Sequence, residues 1–470
     1  MAYISRRSVL QGGTAVGFAS ATGLLGAMTA SAADTSGYKA LVCVFLKGGM
    51  DGADTILPAD RESHDALAVH RGDLFRAYGV GSGSSSRDPE NVLRLDTARD
   101  FGGQRFGLPR ELEGLHGLYT SGRLAVVGNV GPLIEPTTRS GMESRSARVP
   151  ERLFSHNDQQ SQWMRMGLEG RRLGWGGQFA DRVAPTSGSG RTFTSITASR
   201  PDSFLNAIQT RQYPARAKGS VTLRTLTDVY RLGRDNDEAR AIMANHFASG
   251  GYASDNLLMR DLAAGNGRTQ ADNATFDAAV QGAPAFTTVF PDTKLGKQLE
   301  TIARVISIRG ALCVSRQLLY ASMGGFDTHA NQSSEIPARH REIGPALKAF
   351  SDAMDELGTS ESVTLFTASD FGRTVTINGS GTDHGWGNHH LVMGGAVKGG
   401  EIYGDIPAYD FSLESYAKTR GRLIPGISVD QYAGTLGRWF GLADDEMSDA
   451  LPNLGNFSTK DLGFMRPASS

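Results

Sequence analysis

The chain has only two cysteines, Cys43 and Cys313, so at most one disulfide can form and no cysteine-rich metal cluster is available. Both sit in short apolar runs (residues 41–46 and 311–314) and read as buried free thiols, with a single bridge between core strands left open. Neither sign of charge dominates. Lys and Arg total 48 against 49 Asp and Glu, which gives no basic excess of the kind that binds nucleic acid. A strongly apolar run of the ~20 residues that a membrane span needs is also missing. The longest uncharged stretch, from Ser8 to Ala33, is interrupted by Gly12, Gly13, Gly17, Gly23 and Gly26.

That stretch has another meaning. Ser5-Arg6-Arg7-Ser8-Val9-Leu10 is a twin-arginine signal, and Thr29-Ala30-Ser31-Ala32-Ala33 is a small-residue cleavage pattern. We expect residues 1–32 to be removed as a signal peptide, leaving no stable membrane span. The mature protein would be periplasmic or secreted. The twin-arginine route carries folded proteins, often with a metal already installed.

Near-continuous apolar runs at residues 38–46, 124–127, 192–196, 311–320, 362–367 and 391–393 suit strands buried on both faces. Between them, residues 293–308 and 336–357 carry apolar positions at three- and four-residue steps, as amphipathic helices do. Ser428 reads as the N-cap of a helix ending before Gly441. Alternating strands and helices predict an α/β fold with helices on both faces of a mostly parallel sheet, a three-layer αβα arrangement. Residues 76–99 and 185–191 read as surface loops, and residues 203–285 as a helical insertion packed on the sheet domain.

The chemistry-bearing residues collect just beyond the strands. Asp370 ends the run 363–366, and Asp383-His384 follows a glycine-rich loop. Asp51 follows the first strand in Gly48-Gly49-Met50-Asp51-Gly52; Asp327 and His329 follow Gly324-Gly325. Ser155 precedes a helix running to Met166, where the helix dipole favours an alkoxide or an anion; the alternative is a plain N-cap. Ligands of open α/β sheets gather at the carboxyl ends of strands. Carboxylates and imidazoles together suit a divalent ion, zinc first, with manganese, magnesium or calcium if oxygen ligands dominate. Two ions could clamp a displacement at phosphorus or sulfur. Arg373 or Lys47 could hold an anionic substrate oxygen. A dinucleotide site is not expected, because the glycines at 48–52 do not follow that fingerprint.

These motifs resemble the DUF1501 family of exported proteins of unknown function, itself similar to the alkaline phosphatase and sulfatase superfamily. The segments that carry the likeness are Leu46-Lys47-Gly48-Gly49-Met50-Asp51-Gly52, Leu153-Phe154-Ser155-His156-Asn157-Asp158-Gln159-Gln160, Gly174-Trp175-Gly176-Gly177-Gln178-Phe179-Ala180-Asp181, Gly325-Phe326-Asp327-Thr328-His329, Phe366 to Gly404, and Val429 to Gly441. The resemblance implies an alkaline-phosphatase-like domain over residues 33–470. It implies one ion on Asp327, His329 and His384, a second on Asp51 and Asp370, and Ser155 as nucleophile. Phe371 stands where many superfamily members have a histidine, so the second site lacks an imidazole unless His156, His389 or His390 supplies it.

Two functions follow as expectations. The first is an exported metal-dependent hydrolase of a phosphate or sulfate ester, acting on a small anionic ester or an envelope polymer. The second is a non-catalytic cell-envelope binding or assembly protein that retains the fold, with a DUF1800-type exported protein as its partner.

Overall fold

The computed structural model describes residues 33–167, 172–186, 188–221, 245 and 256–467. The signal segment 1–32 lies outside the described residues, as do 222–244 and 246–255 of the segment read as a helical insertion.

The centre is one ten-stranded sheet. Its strands are β1 Lys39–Leu46, β2 Leu124–Gly131, β3 Ser195–Thr197, β4 Tyr213–Arg216, β5 Gly219–Ser220, β6 Arg316–Met323, β7 Val363–Ser369, β8 Asn388–Met393, β9 Ile402–Gly404 and β10 Ile427–Ser428. In space they run β9-β2-β8-β7-β1-β6-β3-β4-β5, with β10 also beside β2. β1 pairs in parallel with β6 and β7, whereas β8 is antiparallel to both β7 and β2. The main helices are α1 Arg61–Ala77, α2 His156–Arg165, α3 Trp175–Val183, α4 Leu257–Gln281, α5 Lys294–Ser307, α6 Gln332–Glu356 and α7 Val429–Phe440.

The two-residue period of β1 divides the core between two helical layers. Ala40, Val42, Val44 and Leu46 pack with Leu299 and Ile302 of α5 and Leu347 and Phe350 of α6. Leu41, Cys43 and Phe45 pack with Trp163 of α2, Phe179 of α3 and Tyr432 of α7. Each buried Val, Leu, Ile or Phe among them contributes roughly 1.5–3 kcal/mol of transfer free energy. The expected three-layer αβα arrangement with a mostly parallel sheet is therefore what the chain forms.

Several expected elements take different bounds. The run at 311–320 begins as turns after α5, with Cys313 in the left-handed region at φ 54°, and pairing with β1 starts only at Arg316. Cys313 is exposed, and only Cys43 is buried; both thiols are free. Residues 76–99 are not simply a surface loop. Arg87 turns inward to Asp54 (3.1 Å) and Glu111 (2.7 Å), with its side chain 1% exposed. Within 203–285, β4 and β5 extend the main sheet and α4 follows.

Three histidines are fully enclosed: His340 on α6, and His389 and His390 on β8. Burial, the largest cause for each, pushes His389 down to about 4 and His340 and His390 to about 3. His389 must stay neutral for a further reason: its Nδ1 accepts the Asn129 backbone N–H at 3.0 Å. A histidine whose folded pKa lies below the unfolded value of ~6.5 contributes stability that is complete above that value and is lost as pH falls towards the folded pKa. Asp430, raised to about 6 by burial, opposes this with one group over part of the range. The melting temperature should therefore fall as pH is lowered from 7 to 4.5, each histidine contributing up to ~1.4 kcal/mol per pH unit. A melting temperature that stays flat over that interval would contradict this.

Candidate metal centre

Parallel pairing sets the site's position. Leu46, the last residue of β1, lies level with Ser369 of β7 and Met323 of β6. The three loops that follow must therefore leave the sheet side by side. Ser369 ties two of them together: its hydroxyl donates to Leu46 O at 2.7 Å and accepts from Met50 N at 2.9 Å. Gly48, at φ 114°, lets the first loop pass against the third; a Cβ there would lie 2.5 Å from Asp327 N. A hairpin, Arg373–Asn378 with Gly381–His384, then folds back over the same edge and sets Arg373 opposite His384.

Asp327 is the hub. Its Oδ1 lies 2.9 Å from His329 Nε2, 3.3 Å from His384 Nε2 and 2.8 Å from Arg373 Nη1. Its Oδ2 lies 3.4 Å from His156 Nε2. The Nε2 atoms of His329 and His384 are 3.0 Å apart. Donor atoms of His156, Asp327 and His384 all fall within 4.8 Å of one another, and the more exposed His329 approaches Asp327 and His384 beside them.

The other ring nitrogens are turned towards acceptors. His156 Nδ1 meets Asp370 Oδ2 at 2.7 Å, and His384 Nδ1 meets Phe154 O at 2.8 Å. His329 Nδ1 faces Asp383 Oδ1 at 3.4 Å. Those acceptors assign the proton to Nδ1 in His156 and His384 and leave a lone pair at each Nε2, whereas the longer His329–Asp383 contact assigns none. Two such lone pairs and the Asp327 carboxylate then point at one another, with the Arg373 guanidinium beside them. A tetrahedral site with bonds of ~2.0–2.1 Å has edges of about 3.3 Å, close to the distances of the three Nε2 atoms from Asp327, while the donors of His156, Asp327 and His384 spread over up to 4.8 Å. His156 Nε2 is moreover buried without a hydrogen-bond partner among the described residues. The donor set fits a divalent ion.

The titratable groups respond to the same geometry. The hydrogen bond that His156 donates to Asp370, against the effect of burial, raises the His156 pKa, whereas burial lowers that of His384, helped by the charges of His156 and Arg373. Burial alone would raise Asp327, but the hydrogen bond and charge of Arg373 outweigh it and hold the carboxyl below its usual value. Arg373 itself is enclosed, its other N–H groups reaching Gly48 O and the hydroxyl and carbonyl of Thr382. It braces Asp327 rather than standing free for a substrate oxygen. Lys47 is likewise engaged, at 2.7 Å from Asp202 Oδ2.

Asp370 is fully buried and joins the cluster through His156. Phe371 packs its ring against His156 and His384, with centroids 4.8 and 4.7 Å apart. Gly49, at φ 83°, makes room for it, since a Cβ there would fall 2.4 Å from the ring. Ser155 caps α2 but makes no capping hydrogen bond with its hydroxyl. It lies between Phe154, whose carbonyl meets His384, and His156. Phe154 is held at φ 71°, an uncommon conformation for a bulky residue.

Asp51, which the resemblance would put with Asp370 on a shared second ion, is paired within the chain. Its carboxylate is met by Arg71 Nη1 at 2.8 Å and Nη2 at 3.0 Å, and by Gln332 Nε2 at 2.6 Å, all in a fully buried setting. The physical reason is the guanidinium that α1 delivers: a buried carboxylate needs a counter-charge, and here the chain provides it. His389 and His390 are enclosed in β8, with His389 Nδ1 taken up by the Asn129 N–H; His156 meets Asp370 through Nδ1 and brings its Nε2 to the Asp327 cluster. Gln160, Arg71 and Gln332 are thus polar partners that the motifs do not mark, and His156 joins the Asp327 cluster rather than a second ion. The four-residue step from His156 to Gln160, both of which meet Asp370, was the available signal.

The chain was compared with known families, curated proteins and solved structures. No curated protein matches it. Similar solved structures include the crystal structure of Ps i-CgsB in complex with k-i-k-neocarrahexaose (8% identity, TM-score 0.31, covering 89% of this chain and 77% of that one). Another is PsFucS1 sulfatase from Pseudoalteromonas sp. (10% identity, TM-score 0.34, covering 92% and 74%). The family described as "Protein of unknown function (DUF1501)" matches residues 38–451, and the chain belongs to that family.

Proposed function

We propose that this protein is an exported, metal-dependent hydrolase of a phosphate or sulfate ester. The observation that supports the reading best is the convergence of three imidazoles, two of them anchored at Nδ1, on the carboxylate of Asp327. Asp327, His329 and His384, with His156 beside them, would hold the ion, most suitably zinc given the imidazole-rich set. When bound, such an ion supplies Lewis-acid polarisation of an ester oxygen.

The chain's own groups do the remainder. Arg373 fixes Asp327 by a charge-assisted hydrogen bond. Ser155 offers a nucleophilic hydroxyl at the N-terminus of α2, where the positive end of the helix favours anionic oxygens. Its attack on phosphorus or sulfur would release the alcohol and leave a seryl ester, which water then hydrolyses. Among the described residues no helix is long and apolar enough to cross a membrane, and the reading of residues 1–32 as a twin-arginine signal accounts for export.

One observation favours the second reading, an envelope binding or assembly protein with a single structural ion, whose partner could be of the DUF1800 type. Asp51 is already neutralised by Arg71, which leaves fewer groups for a two-ion clamp. The two readings part at Ser155.

The purified mature protein should contain about one divalent ion per chain by elemental analysis, and Asp327→Ala should lose it. Protein that takes up no divalent ion would contradict the reading. In a panel of aryl phosphates, phosphodiesters and aryl sulfates, Ser155→Ala should lower kcat by ~10³-fold or more while retaining the ion. Turnover unchanged by that substitution would remove Ser155 as nucleophile, and no turnover of any ester by metal-loaded protein would favour the second reading.

A further inference from the structure

Asp370 sits where a strand-end carboxylate is expected to bind an ion, yet its surroundings point elsewhere. Its side chain is fully buried. Its Oδ2 takes two donors, His156 Nδ1 at 2.7 Å and Gln160 Nε2 at 2.9 Å. Among the described residues, the side chains that bring donor atoms within 4.8 Å of one another are His156, Asp327 and His384, without Asp370. The imidazole of His156 stands between, with Nδ1 to Asp370 and Nε2 to Asp327.

We propose that Asp370, steadied by Gln160, is a positioning residue: it fixes the tautomer and orientation of His156 so that Nε2 is presented to the ion held with Asp327. This rests on the metal-centre reading above. A carboxylate behind a ligating histidine holds the proton on the far nitrogen and makes the near one a better donor. The local packing suits that task. Phe371 lies against the His156 ring and limits its rotation, and Gln160, one helical turn after His156, is delivered by the same helix to the same oxygen. Nothing comparable holds the more exposed His329, whose Nδ1 partner Asp383 is 3.4 Å away and shared with Arg420.

The test has two arms. In metal-free wild-type protein carrying ¹⁵N-histidine, His156 (assigned by loss of its signals in His156→Gln) should appear as the Nδ1–H tautomer. Asp370→Ala should abolish that preference. Zinc affinity measured by competition with a chelator should fall ~10–100-fold in Asp370→Ala and by less in Gln160→Ala. His156 protonated at Nε2 in the wild type, or Asp370→Ala binding zinc as tightly as the wild type, would overturn the proposal. Should Asp370→Ala fail to fold, the wild-type tautomer and Gln160→Ala decide. Wild-type protein that shows the Nδ1–H tautomer but binds no zinc would instead overturn the metal-centre reading, and with it the role assigned here.

Discussion

The convergence of imidazole rings on one carboxylate, Asp327, organises this molecule's functional edge. His156 and His384 each spend Nδ1 on an outer acceptor, and with His329 they turn Nε2 inward to Asp327. Each element around the site serves that convergence. Arg373 supplies part of the positive charge and sets Asp327, Asp370 backs His156, and Phe371 fills the space beneath two of the rings.

The sheet makes the convergence geometrically cheap. Because β1, β6 and β7 run parallel and end level, the loops that follow them leave the sheet side by side, with Gly48 against the backbone of Asp327. Glycine supplies the close approach at 48 and 49, where a side chain would collide with the Asp327 backbone or with Phe371. A second buried network, Asp51 with Arg71 and Gln332 and Asp54 with Arg87, lies next in the chain to the first loop. It is neutralised internally, so it stabilises the loop without recruiting an ion. Breaking such a pair by removing one partner is far more costly than its net contribution suggests.

The architecture was legible from the sequence because buried parallel strands write continuous apolar runs and the helices between them write a 3.6-residue period. Strand-end position alone picked out Asp327, His329, Asp370 and His384 as neighbours. What the sequence did not disclose was which charges cancel one another. Arg71 lies twenty residues beyond Asp51 on a helix whose other basic residues face solvent, and no spacing rule marks it as the partner. Arg87 lies in a glycine- and serine-rich stretch that looks solvated, yet it fills a buried cavity of carboxylates. In the sequence His156 is one of three candidate imidazoles beside Phe371; its ring is placed only once α2 is docked against the loop after β7. Such pairings are decided by tertiary packing, which local periodicity does not encode.

The most direct measurement is anomalous scattering across the zinc edge from a crystal of the zinc-loaded mature protein. The account predicts one strong peak bounded by the Nε2 atoms of His156, His329 and His384 and a carboxylate oxygen of Asp327, with no peak at Asp51. Absence of density among those four side chains, or an ion held instead between Asp51 and Asp370, would contradict it.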